Sequence, residues 1–349
     1  MIPEKDTDLN EIKTAELFQY LKAEAAKDTP DKDLIGRVRR QLTKIEADYF
    51  DNTIKTMDEE EYNFTVNPYP LGDVYEILNR DEYWLIRDGF ITIGGEAAAG
   101  KTSFLNDLAI DLLKHNTDTC YIFYTLDDSI HISGKRIISQ LNKKNLFMGG
   151  YDNHIHKTPH NEILKRIILR EKINIIHLER EAEAAKKKTG CKKIIIGIDY
   201  LQAIPAPADY SGDRRQLFND NLKALKEKQI AIQEAGGCIL FCLSQMNRDS
   251  KSDGYRYRET SEIENQSDVC IDIELPRTTQ ATGKDKRTVP DRETDKRIIR
   301  VQKNKMGKRG MTFHTTISRA FNFDKLTFEG DSITADSEDE SDNYKRKLR

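Results

Sequence analysis

The residues best equipped for chemistry lie at 94–103, in the string GGEAAAGKTS. They follow a short apolar run, GFITI at 89–93, and they open a helical stretch, FLNDLAIDLLKH. A strand, then G-x-x-x-x-G-K-[ST], then a helix is the context of a phosphate-binding loop. Small residues at 95–100 let successive backbone N–H groups close around phosphate oxygens, and the start of the next helix favours negative charge. On this reading Gly95, Glu96, Ala97, Ala98, Ala99, Gly100, Lys101, Thr102 and Ser103 hold a nucleoside triphosphate. Lys101 reaches the β- and γ-phosphates and the Thr102 hydroxyl holds Mg²⁺. The competing reading is a Gly/Ala-rich turn without a ligand.

Hydrolysis needs more than a cradle: a second carboxylate near Mg²⁺, a group that orients water, and positive charge for the transition state. The run KKIIIGIDY ends an apolar strand on Asp199, where a parallel sheet would present a second Mg²⁺ carboxylate. A second acidic strand end is CYIFYTLDDS, so Asp127 could orient the attacking water, while Asp128-Ser129 also suits a helix start. A third, GGCILFCLSQMNR, carries Gln245, an amide able to bond the γ-phosphate or the water and so to sense hydrolysis. Lys303 and Lys305, in VQKNKMGKRG, lie two apart and so on one strand face. They read either as a solvated hairpin edge or as cations reaching a neighbouring subunit's nucleotide.

These groups need a scaffold that delivers strand ends to one place. Apolar strand candidates fall at 90–93, 120–126, 193–198, 238–243, 269–275 and 297–302, with helices at 102–115, 129–143, 161–189 and 214–235. Strands separated by helices predict an α/β fold with a mostly parallel sheet covered on both faces. The stretch 276–295 has no apolar periodicity and reads as an exposed, mobile connection between neighbouring strands. Residues 1–70 read as a helical extension or linker ended by NPYPLG, 71–329 as the ATPase domain, and 330–349 as a disordered acidic-then-basic tail.

Composition sets limits. The 349 residues are 37% apolar and 33% charged with a net charge of −3, so any nucleic-acid contact must come from local clusters. The five cysteines form no CxxC pair, and Cys238 and Cys242 share a strand face, as expected of buried, reduced thiols. No apolar segment is long enough to span a bilayer, and the expected location is the cytoplasm without a membrane partner. The histidines of HIHKTPH lack a cysteine or carboxylate to complete a metal set and read as a turn.

Five blocks in order, GGEAAAGKTS, YTLDDS, IIIGIDYLQAI, LSQMNR with YRETSEIENQSD, and VQKNKMGKRG, resemble the RecA-like core of DnaB-type hexameric helicases. The resemblance spans roughly residues 71–326, as read from the motifs rather than an alignment. It implies ATP and Mg²⁺ as cofactors, a homo-oligomeric ring (a hexamer), single-stranded DNA as partner, and a loader or replication protein as a further partner. It also assigns Lys101 and Thr102 to phosphate and Mg²⁺, Asp199 to the second carboxylate and Gln245 to the sensor. Asp127 stands where such proteins carry a catalytic glutamate, and Lys305 where they place an arginine finger. The KNK spelling is similar to the lysine pair of RecA recombinases. DNA contact is expected after Asp199 and after Gln245, from Arg214, Arg215, Arg248, Lys251, Arg256 and Arg258, with tyrosines available for stacking. A RecA-like DNA-binding ATPase without unwinding activity is the alternative these departures raise.

Overall fold

In the computed structural model, the described residues are 14–27, 31–53, 68–72, 75–147, 152–206, 210, 212–246, 261–282, 285–291, 294, 296–308, 311–318 and 325–327. The tail expected to be disordered, 330–349, lies outside them, as do Arg248, Lys251, Arg256 and Arg258. The chain divides into two compact units, 1–65 and 66–349. The first contains two helices, α1 (Thr14–Ala25) and α2 (Lys32–Thr53), which bury Leu17, Leu34 and Val38 between them.

The second unit is built on alternating strands and helices. In chain order these are β1 (Gly89–Gly95), α3 (Lys101–His115), β2 (Thr119–Thr125), α4 (Ile130–Leu141), α5 (Asn161–Leu164) and β3 (Ile167–Arg170). Next come α6 (Leu178–Thr189), β4 (Lys193–Asp199), α7 (Arg214–Glu234), β5 (Cys238–Gln245), α8 (Glu262–Gln266) and β6 (Val269–Glu274). The last strands are β7 (Arg277–Thr282), β8 (Asp285–Pro290), β9 (Lys296–Asn304), β10 (Thr312–Ser318) and β11 (Lys325–Thr327). Nine strands form one sheet in the order β11-β10-β9-β6-β1-β5-β4-β2-β3. From β6 to β3 every pairing is parallel, and β9, β10 and β11 extend the sheet in antiparallel fashion.

Both faces of the parallel part are apolar, as strands covered by helices on each side must be. Ile91, Ile93, Phe123, Ile195 and Phe241 pack on one face with Phe104, Leu105 and Leu108 of α3. Phe90, Ile122, Ile196 and Leu240 pack on the other with Ala182 of α6 and Leu222 and Leu225 of α7. Cys238 and Cys242 do share that second face, and all five thiols are free and buried.

Two expectations fail on tertiary grounds. The helix expected at 161–189 is interrupted by β3, which pairs in parallel with β2 from Tyr121↔Ile167 to Tyr124↔Arg170. Pairing with the open edge of β2 satisfies a ladder that helical periodicity could not anticipate. The Arg166 guanidinium fixes the junction by donating to the carbonyls of Leu113, Asn116 and Thr119. The connection expected at 276–295 instead folds into an antiparallel ribbon, β7 against β8, with Thr282 opposite Asp285 across the turn. Its polar alternation is what a two-stranded ribbon outside the core permits. The histidine-bearing turn forms short helical pieces at 153–160, and no metal-holding cluster occurs among the described residues. No helix among them is long and apolar enough to cross a membrane.

Phe241 is fully buried midway along β5, opposite Ile91 on one side and Gly197 on the other. Phe241→Ala should reduce unfolding free energy by about 3–5 kcal/mol through lost burial and a residual cavity. The midpoint of denaturant unfolding measures it, and an unshifted midpoint would contradict the two-faced core.

Candidate functional site

Parallel pairing brings four strand ends to one edge. Gly95 ends β1 opposite Gln245 of β5, and Thr125 ends β2 opposite Asp199 of β4. The loop 95–100 leaves β1 there and turns into α3. Its sharp exit demands a missing side chain at Gly95, where a Cβ would meet the Ile273 carbonyl oxygen at 2.6 Å. Gly100 caps α3 in a left-handed conformation at φ 95°, and Ala98 takes φ 63°, an uncommon value for a residue with a Cβ. Ala97 and Ala98 are exposed while Ala99 is buried, so the loop presents its tip to solvent over an anchored base.

Lys101 folds back over this loop, its Nζ donating to the carbonyls of Gly95 at 3.0 Å and Glu96 at 2.9 Å. Burial lowers its pKa, and the carboxylates of Asp199 and Glu96 oppose that shift. The Thr102 hydroxyl donates to Asp199 Oδ2 at 2.6 Å. Burial pushes the Asp199 carboxyl above its usual range, against the Thr102 hydrogen bond and Lys101, while Asp127 and Asp128 add to the rise. Two hard oxygen donors in contact beside a phosphate-type loop suit Mg²⁺, so these residues fit the expected ion.

The neighbouring carboxylates divide. Asp128 pairs with Arg136 of α4. Asp127 is exposed, and among the described residues no side chain pairs with its carboxylate. Gln245 is held from two sides. Its N–H donates to Gln202 Oε1 at 3.5 Å, Gln202 Nε2 donates to Ser244 Oγ at 3.0 Å, and the next residue's N–H donates to the Gly95 carbonyl at 3.2 Å. Gln202 was not among the residues picked out from the sequence, although it sits in the DYLQ string. Ser103 follows Thr102 in the first turn of α3, and its carbonyl accepts from Gln140 at 2.8 Å.

Lys303 and Lys305 are placed elsewhere. Because β9 runs antiparallel to β6, its end (Asn304) sits opposite Val269, where β6 begins. The lysines therefore occupy the opposite sheet edge from Lys101, about 20 Å away for strands of this length. Lys303 Nζ donates to the carbonyls of Glu264 and Asn265. Its pKa is lowered, first by burial and then by Lys305. Lys305 pairs with Asp268 at 2.9 Å. Asp268 also accepts from Lys226 at 2.6 Å and from the Phe90 N–H at 2.9 Å. Burial alone would raise the Asp268 carboxyl, but these bonds hold it below the ordinary range.

Arg214 and Arg215 are exposed in the first turn of α7, whose N-cap Asp213 accepts from the Gln216 N–H at 3.4 Å. Two arginines that motif reading passed over meet the loop directly. Arg277 pairs with Glu96 at 3.5 Å, and the buried Arg297 donates from Nε to the Ala99 carbonyl at 3.0 Å. The signal for Arg297 is positional, since it falls on the inward phase shared by Ile299 and Val301.

A family model described as the DnaB-like helicase C terminal domain matches residues 75–325. Among solved structures, the chain is similar to an isolated ATPase domain, with 16% identity and a TM-score of 0.56 over 80% of this chain and 96% of that one. It is also similar to a DnaB-like replicative helicase whose structure was described with its interactions with primase. That match has 17% identity and a TM-score of 0.55 over 88% of this chain and 74% of that one. At such identities the likeness is one of fold, the RecA-like arrangement of a mostly parallel sheet flanked by helices. The sequence matches no curated protein.

Asp199→Asn removes a buried charge while keeping an oxygen for Thr102. Ligand-free thermal stability should therefore stay level or rise, whereas Mg²⁺-dependent nucleotide turnover should collapse by about 10²-fold or more. A thermal midpoint several degrees lower would instead make Asp199 chiefly a structural residue.

Proposed function

The chain belongs to the DnaB-like helicase C terminal domain family, and from that premise we propose that it is a ring-forming, ATP-hydrolysing motor on single-stranded DNA, acting in replication or repair. One observation carries this reading. The groups suited to bind and cleave a triphosphate share one sheet edge, while the Lys303 and Lys305 cations lie on the opposite edge. Cations so placed cannot serve their own loop. They can serve the loop of a second copy in a head-to-tail contact, and such contacts close into rings or extend as filaments.

Residues 95–103 would hold the phosphates through backbone N–H groups, with Lys101 neutralising charge between β and γ. Thr102 and Asp199 would hold Mg²⁺, which supplies neutralisation of phosphate charge. Asp127, exposed beside them, would accept a proton from and orient the attacking water. Gln245, tied by its neighbour to the Gly95 carbonyl and by Gln202 to the β4 end, would transmit the state of the γ-phosphate. The exposed Arg214 and Arg215 lie where α7 departs from the β4 side, suited to backbone contact with DNA. Arg248, Lys251, Arg256 and Arg258 join them in this proposal from sequence alone. A loader or replication protein is the further partner that the family premise suggests.

The rival reading, a RecA-like DNA-binding ATPase without unwinding activity, draws on the lysine side chains where helicases of this type carry arginine. A lysine ammonium makes no bidentate fork and reaches phosphate as a point charge. Strand displacement on a forked duplex, present or absent, separates the two.

Asp127→Asn should cut turnover by about 10²-fold with nucleotide still bound, and Asp128→Asn should do less because its partner is Arg136. Steady-state hydrolysis beside equilibrium nucleotide binding measures both. The reverse order would move the water-orienting role to Asp128.

Neither Lys101→Ala nor Lys305→Ala should hydrolyse ATP well on its own. Mixed, they should regain a minority of active interfaces, since each supplies what its neighbour lacks. The wild-type rate per chain should also climb with protein concentration as subunits assemble. A rate independent of concentration, with no recovery on mixing, would remove the trans role of the lysines and leave a solitary ATPase.

A further inference from the structure

Arg297 opens β9 on the face that packs against α3, in phase with Ile299 and Val301. It is 6% exposed. Its Nε donates to the Ala99 carbonyl at 3.0 Å, and its Nη1 donates to the carbonyls of Thr294 and Lys296 at 2.9 Å each. Burying a guanidinium is costly unless its donors are engaged, so this residue is held firmly in one geometry. One of its acceptors is the peptide unit that ends in the Gly100 N–H. A peptide is a two-ended dipole. A cation fixed on its oxygen strengthens the N–H at the other end as a donor and pins the plane in which that N–H points. The left-handed Gly100 at φ 95° then turns the chain into α3 at this unit.

We propose that Arg297 is a positioning residue for phosphate recognition, acting through the Ala99–Gly100 peptide to aim and strengthen the Gly100 N–H. The proposal rests on the reading of residues 95–103 as a phosphate loop and deepens it. Arg297 touches no phosphate itself. Its work is to hold the backbone of the loop in the donor geometry, which the short side chains of Ala97, Ala98 and Ala99 cannot do. Arg277 steadies the other end of the same loop through Glu96, so two arginines that follow β6 in the chain brace it. At its far end β9 carries Lys303, which makes this strand a continuous element between the chain's own loop and the opposite sheet edge.

The test is equilibrium binding of ATP and of inorganic tripolyphosphate to the full chain with Mg²⁺, well below the melting midpoint of each variant. Arg297→Met should weaken both ligands about tenfold, the size expected for losing one charge-assisted hydrogen bond. Arg297→Lys keeps the charge and one donor and should restore binding to within about threefold of wild type. Arg300→Met, on the same strand but paired with Glu274 at 3.1 Å, should leave both affinities unchanged. A purely structural arginine would lower the melting midpoint without moving the affinity of the folded protein. Wild-type affinity in Arg297→Met overturns the proposal. So does an equal loss in Arg300→Met. If Arg297→Met does not fold, Arg297→Lys carries the test: a measurable loss, smaller than tenfold, supports the proposal, and wild-type affinity overturns it. Wild-type protein that binds neither ATP nor tripolyphosphate would overturn the reading of the loop instead.

Discussion

In-register parallel pairing of β1, β4, β5 and β2 is the constraint on which the candidate site depends. Strands that run the same way deliver their carboxyl ends to one edge, and the helices that return the chain must start there. A loop from β1, a carboxylate from β4, an amide from β5 and an acidic turn from β2 thus converge although the sequence spreads them over some 150 residues. The apolar contacts on both faces hold that register. A slip of one residue would exchange the Ile194–Ile196–Ile198 face for the Ile195–Gly197 face and put Asp199 out of reach of Thr102.

Reversal of direction at β9 is the complementary device. Because the strand returns along β6, its first residues reach the loop edge and its last reach the opposite one. Arg297 consequently braces the loop of its own chain, and Lys303 and Lys305 sit where only another molecule's nucleotide could meet them. In the single chain these lysines are occupied by the carbonyls of Glu264 and Asn265 and by Asp268, which Lys226 and the Phe90 N–H hold in place. A neighbour's triphosphate would have to compete with that arrangement, a natural reason for hydrolysis to depend on assembly.

Asp199 shows how the loop edge trades stability for reactivity. Its carboxyl is pushed upward by burial and kept serviceable by one short bond from Thr102 and by Lys101. Asp127 and Asp128 differ for a similarly local reason. The helix α4 that follows them presents Arg136 to Asp128 and leaves Asp127 outward.

The amino-acid sequence by itself determined whatever depends on short-range chemistry. It specified the glycine-bounded loop with Lys101 and Thr102, the carboxylate ending β4, the amide ending β5, and the α/β alternation that implies a parallel sheet. These are encoded in spacings of a few residues, because a strand's period and a loop's backbone geometry are local properties. What joins distant segments was decided only by tertiary structure. β3 exists because β2 offered it an edge, and the polar stretch after β6 became a ribbon because its two halves could pair. Gln202 and Arg297 became part of the site because the sheet carries them to it. The placement of Lys303 and Lys305 opposite the loop follows from the direction of one strand, which no residue spacing within that strand records.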